Sequence, residues 1–111
     1  MILSKEQQAL LLLTHLSQEL QRLALWQENL PSIDKMASKL PFHYDTLLFE
    51  QWLQFIFIER IRLMIDKKQP LPCDMLLSPM AEESFKKLGN KADNLLSIIN
   101  QIDYLFSGRE A

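Results

Sequence analysis

Two glycines in 111 residues, Gly89 and Gly108, constrain this chain more than any other feature. Glycine is the residue that adopts positive φ freely, so a chain almost without it cannot build many tight hairpins or a loop whose amides cradle phosphate. Helices joined by a few connections are what remains. A hydrophobic content of 48% against 23% charged residues supplies a core and excludes disorder over most of the length. The length accommodates one domain, residues 1–111.

Periodicity places the helices. Ser4 and Gln7 form a capping-box pattern, and Ala9, Leu13, Leu16, Leu20 and Leu23 recur at steps of three and four, predicting a helix from Lys5 to Gln27. Leu10, Leu11, Leu12 and Leu25 widen its apolar surface beyond one stripe, which marks Leu10, Leu11 and Leu25 as a candidate interaction surface. From Glu28 to Tyr44 the period breaks around Pro31 and Pro41. Leu30, Ile33, Met36, Leu40 and Phe42 are the expected anchors there, with a short helix around Ser32 to Ser38 capped by Ser32.

From Thr46 to Lys67 apolar residues fall at almost every helical angle, which predicts a central, surrounded helix with Asp45 as its cap. Glu50, Gln51, Gln54 and Arg62 share a polar sector, the expected solvent strip. Glu59 and Arg60 project into apolar sectors, so Arg60 is expected to be buried against a carboxylate or carbonyls near Pro41 to Asp45. A connection stiffened by Pro70 and Pro72 leads to a helix capped by Ser78, with Pro79 first and Gly89 at its end. Asn90 and Asp93 open a last helix with Leu95, Ile98, Ile99, Ile102, Leu105 and Phe106 on its apolar face, stopped at Ser107-Gly108. The prediction is an all-α fold, a compact four-helix bundle with a long, partly ordered first connection.

The chemistry is sparse. A net charge of -2 lacks the basic footprint of a dedicated nucleic-acid binder, although Arg60, Arg62, Lys67 and Lys68 cluster at one helix end. Cys73 is the single cysteine, so the chain can form neither an internal disulfide nor a thiolate metal cluster. The apolar run Leu10 to Leu13 lacks a basic leader and a cleavage site, and charges interrupt every apolar stretch short of a membrane span. A cytoplasmic protein without a membrane segment is expected. His15 and His43 have no metal-ligand spacing around them. His43, Tyr44 and Asp45 are of acid-base type, but no nucleophile or oxyanion donor accompanies them, and capping and packing are the preferred role. No catalytic, metal or cofactor site is therefore expected.

The segment Pro41-Phe42-His43-Tyr44-Asp45-Thr46, then Glu50-Gln51-Trp52-Leu53-Gln54 and Arg60, resembles the YqcC-like family of small bacterial proteins. Gln69-Pro70-Leu71-Pro72, Pro79-Met80-Ala81-Glu82-Glu83 and Ile102-Asp103 follow in the family's order, whereas Glu59 stands where the family commonly has proline. The motif cluster carried by the resemblance is Pro41, Phe42, Asp45, Thr46, Trp52, Arg60, Pro70 and Pro72. The resemblance implies a helical bundle, often encoded beside a tRNA pseudouridine synthase. It does not imply that enzyme's activity, because the Gly-Arg-Leu-Asp type motif of such synthases is missing from the sequence.

The expectation is a non-catalytic accessory protein associated with tRNA pseudouridine modification, with a protein partner such as the synthase, or a second copy in a homodimer. An RNA-associated auxiliary acting through Arg60 to Lys68 is the alternative. A small independent enzyme ranks last.

Overall fold

The structure, a computed structural model, describes residues 2–107. Its helices are α1 (Lys5–Arg22), α2 (Ile33–Met36), α3 (Phe49–Trp52), α4 (Ile58–Asp66), α5 (Ser78–Ser84) and α6 (Asp93–Phe106). α3 and α4 are two ends of one rod, joined without a break by the π-helical turn Leu53–Phe57. Two 3-10 segments, Pro41–His43 and Lys86–Ala92, complete the order, and no strand occurs among the described residues. The fold is all-α, with α1, the α3–α4 rod, α5 and α6 as its principal helices. No helix among the described residues is long and apolar enough to cross a membrane.

α1 starts as its sequence dictates. The Ser4 hydroxyl accepts from the Gln7 amide (3.1 Å), and the Gln7 side chain accepts from the Ser4 amide (2.9 Å). Ala9, Leu13, Leu16 and Leu20 are buried along it, chiefly against α6, which contributes Leu95, Ile99, Ile102 and Phe106. The rod adds Trp52, Leu53, Phe57, Ile58 and Ile61 to the same core.

α1 stops at Arg22, five residues before the Gln27 expected from periodicity. Ala24 takes a left-handed φ of 60°, its amide bonds the Gln21 carbonyl (3.0 Å), and the Leu25 amide bonds the Leu20 carbonyl (2.8 Å). This is a Schellman termination with alanine in the position usually given to glycine. Leu25 is thereby folded back to pack on the core rather than left open with Leu10 and Leu11. α4 ends the same way around Lys68 at φ 56°, with the Gln69 amide on the Met64 carbonyl (2.8 Å).

The rod corrects the angular reading of its second half. Within the π turn the Ile58 amide donates to the Leu53 carbonyl, five residues back. One residue is thus inserted relative to an α-helix, and everything after it is turned by about 100°. Ile58 and Ile61 take the buried arc, and Glu59 and Arg60 emerge exposed, so Arg60 has no buried partner near Pro41 to Asp45. The turn also explains itself. Residues five apart diverge by about 140° on an α-helix, whereas here the rings of Trp52 and Phe57 stack at 5.6 Å.

Further boundaries differ from expectation. The rod begins at Phe49, not Thr46, so Asp45 caps nothing, and the Gln51 side chain accepts from the Leu48 amide (2.8 Å) instead. α2 matches the short helix expected in the first connection, with the Ser32 hydroxyl accepting from the Lys35 amide (3.3 Å). Of the expected anchors, Met36 and Phe42 pack on the core, while Leu30, Ile33 and Leu40 are exposed. α5 includes Ser78 as its first residue and ends at Ser84, before Gly89, which breaks the following 3-10 segment at φ 55°, ψ -135°. The Gly108 stop expected after α6 lies outside the described residues.

Candidate functional site

The motif cluster divides into a staple and a groove. In the staple, the Thr46 hydroxyl donates to the Lys35 carbonyl (2.7 Å) and the Ser38 hydroxyl donates to the Asp45 carboxylate (2.5 Å). His43 Nε2 lies 3.0 Å from the Met36 carbonyl. A carbonyl can only accept, so Nε2 carries the proton, and the opposite nitrogen, Nδ1, is buried with no hydrogen-bond partner among the described residues. These bonds tie the short helix α2 to the segment that follows it. The His43, Tyr44 and Asp45 group is accordingly structural in its contacts, with Tyr44 directed outward.

The staple holds two successive residues in left-handed conformation, Phe42 at φ 57° and His43 at φ 52°. Such torsions are unfavourable for residues with a side chain, by about 1–2 kcal/mol each. Burial of the Phe42 ring offsets that strain: it meets Trp52 edge-on at 5.0 Å and Phe49 at 5.6 Å, and Phe49 stacks on Trp52 at 5.7 Å.

Phe42 and Trp52 form one wall of an open groove of about 580 Å³, and Pro72 through Leu77 form the other. The structure thus unites Phe42, Trp52 and Pro72 from three separate parts of the sequence. Pro41 and Pro70 are exposed outside its lining, and Arg60 does not join it. A second, more polar depression of about 320 Å³ meets the groove at Met75 and Leu76, and Ser78, Glu82 and Asn100 are among its lining residues.

The loop that builds both is fixed by Asp103, a buried carboxylate on α6. It accepts from the amides of Leu77 (2.7 Å) and Ser78 (2.8 Å) and from the Ser78 hydroxyl (2.5 Å). Asp103 therefore caps α5 from another helix, the role expected of Ser78. The sequence signals the burial but not the partner: Asp103 stands four residues after Ile99 and three before Phe106 on the apolar face of α6.

Gln54 is the other functional-looking polar group that the sequence hid. Its helical angle predicts a place on the solvent strip with Glu50, Gln51 and Arg62, yet Gln54 and Glu50 are buried, Gln51 is half-buried and Arg62 alone is exposed. Its amide nitrogen donates to the Gln27 carbonyl (2.7 Å) and its oxygen accepts from the Gln27 amide (2.9 Å), while Gln51 donates to the Gln27 side chain (3.1 Å). The connection after α1 is clamped to the rod by this pairing.

Elsewhere, Glu19 is buried and accepts two bonds from Arg22, which hold its carboxyl below the usual carboxylate range. Among the described residues no three His, Cys, Asp or Glu side chains converge in a way that holds a metal. Leu10 and Leu11 are exposed on α1, and Arg60, Arg62, Lys67 and Lys68 are exposed at the end of α4.

Comparison with known proteins supplies a frame for this geometry. The family DUF446, described as tRNA pseudouridine synthase C, matches residues 8–105. A protein of Haemophilus influenzae, named only as uncharacterised, is 33% identical over 91 residues, 82% of this chain and 85% of that protein. A protein of Pectobacterium carotovorum named tRNA pseudouridine synthase C is 31% identical over 70 residues, 63% of this chain but 19% of that protein. The solution NMR structure of YqcC from Escherichia coli is similar with a TM-score of 0.84 and 26% identity, over 98% of this chain and 93% of that one.

Proposed function

This chain belongs to the YqcC-like family DUF446, and from that premise we propose that it is a non-catalytic accessory module that binds a tRNA pseudouridine synthase. The observation that carries this reading is the Pectobacterium relative, in which the similar stretch is 19% of a protein named for the synthase. A helical unit appended to a longer enzyme gives that proportion. Covalent joining by a short flexible linker raises effective concentration to the millimolar range, an advantage for units that work in contact. The reading is supported by the exposed apolar side chains Leu10, Leu11 and Leu76. It is also supported by the engagement of His43 and Asp45 in backbone and hydroxyl bonds that serve the fold.

The test is direct. The purified chain is mixed with a free-standing synthase of this name, and the complex is sought by sizing with light scattering and by turnover on tRNA. The expected outcome is one complex and an altered turnover. Independent elution with unchanged turnover overturns the proposal, and doubled mass of the chain alone assigns its apolar surface to a homodimer.

One observation favours the RNA-associated alternative: Arg60, Arg62, Lys67 and Lys68 are all solvent-exposed at one end of the rod. That reading requires tRNA binding whose affinity falls steeply with salt and is lost when these four are replaced by Gln.

A further inference from the structure

We propose that the groove between Phe42, Trp52 and the Pro72–Leu77 loop docks a cationic, apolar segment of a partner protein. The proposal rests on the reading of this chain as a protein-binding module and names the surface and the chemistry of its occupant. The groove and the depression beside it meet at Met75 and Leu76, so they offer adjoining places for successive side chains of one segment. The groove is walled by aromatic rings, proline and aliphatic side chains, with Met75, a flexible and polarisable side chain suited to varied apolar partners, at the junction. Leu76 stands 64% exposed there, an apolar shoulder with no cover among the described residues. The groove's open form suits a chain segment laid across it.

Charge selects the occupant. Among the described residues, Asp74, Glu82 and Asp103 line the two depressions and no Lys, Arg or His does, although the chain carries 12 Lys and Arg against 14 Asp and Glu. Asp103 is committed to the Leu77 and Ser78 amides, which leaves the exposed Asp74 and Glu82 facing an arriving ligand. Asp74 accepts only a long contact from the Cys73 thiol (3.9 Å), and neither carboxylate has an ion-pair partner among the described residues; two such charges beside an apolar wall repel nucleic-acid phosphates and attract Lys or Arg flanking apolar anchors. The basic face at Arg60 to Lys68 has the opposite sign, so the two surfaces do not compete for one class of ligand.

Trp52 in the groove wall reports occupancy by fluorescence once the other tryptophan is removed as Trp26→Phe. The full chain is titrated with an amphipathic Leu/Lys peptide and with a Leu/Glu peptide of the same length and spacing. The expected result is binding of the Leu/Lys peptide at least about tenfold tighter than its acidic counterpart. The double variant Asp74→Lys/Glu82→Lys inverts the preference, and Leu76→Asp abolishes binding. All three positions are exposed, and a native far-UV spectrum verifies the fold of each variant. Binding of neither peptide, equal binding of both, or a preference untouched by charge reversal overturns the proposal. A synthase that ignores the wild-type chain while the Leu/Lys peptide binds overturns the accessory reading and leaves the groove standing. A synthase that binds wild type and the charge-reversed variant alike removes the groove from that contact and leaves the accessory reading standing.

Discussion

At the scale of single residues, the decisive polar side chains are those that bridge separate elements. Asp103 receives three hydrogen bonds from the start of α5, two of them from backbone amides that have no partner of their own in α5's first turn. Asp103→Ala orphans these donors, and a loss of about 3 kcal/mol in urea unfolding is expected, since bonds to a charged acceptor are worth roughly 1.5–3 kcal/mol each and are not additive. Arg60 is the converse case. A buried arginine would lose about 3 kcal/mol on truncation, but this one is exposed, so Arg60→Ala is expected to unfold within about 0.5 kcal/mol of wild type. Glu19 gives a pH signature. Arg22 holds its carboxyl below the ordinary value of 4.5, so its contribution is complete above that pH and is lost as the pH falls through the lowered folded value. Glu19→Gln should flatten the wild-type fall in melting temperature across that acidic window and leave the profile from pH 6 to 8 parallel to it.

At the scale of elements, helix ends show how a chain poor in glycine still stops its helices. Both α1 and the rod terminate by Schellman bonding around non-glycine residues, Ala24 and Lys68. The left-handed backbone is unfavourable there for a residue with a Cβ, so each position retains strain that glycine would relieve. Lys68→Gly, at an exposed side chain, is expected to stabilise by about 1 kcal/mol and raise the melting temperature by several degrees. The π turn is the second lesson of this scale. It aligns Trp52 with Phe57 and carries Ile58 and Ile61 to the core, and the same rotation releases Glu59 and Arg60 to solvent.

At the scale of the molecule, helices account for the core and the connections account for the surface that can recognise something. The first connection is held at two points, by Gln54 on Gln27 and by the staple, in which Thr46 and His43 bond α2 and Asp45 bonds Ser38 just after it. Gln54→Ala removes the first point only. Amide exchange should then accelerate selectively in residues 23–30, while the mutually packed α1 and α6 keep their protection. Uniform acceleration throughout the chain would mean that the clamp stabilises the core itself.

The amino-acid sequence determined the all-α class, the start of α1 at Ser4, the short helix capped by Ser32 and the buried faces of α1 and α6, because caps and the 3.6-residue period are local properties of the chain. The family resemblance marked a cluster of eight residues, Pro41, Phe42, Asp45, Thr46, Trp52, Arg60, Pro70 and Pro72, of which only Phe42, Trp52 and Pro72 line the groove. Tertiary structure decided the rest. A single π insertion has no pattern in a 100° projection, so Arg60 read as buried when it is exposed. Ala24 and Lys68 carry no intrinsic stop signal. Gln54 and Asp103 declare their roles only when Gln27 and Leu77, each more than twenty residues away in sequence, arrive beside them. The groove exists because a proline loop closes against a strained aromatic turn, and the free energy of that contact belongs to neither segment alone.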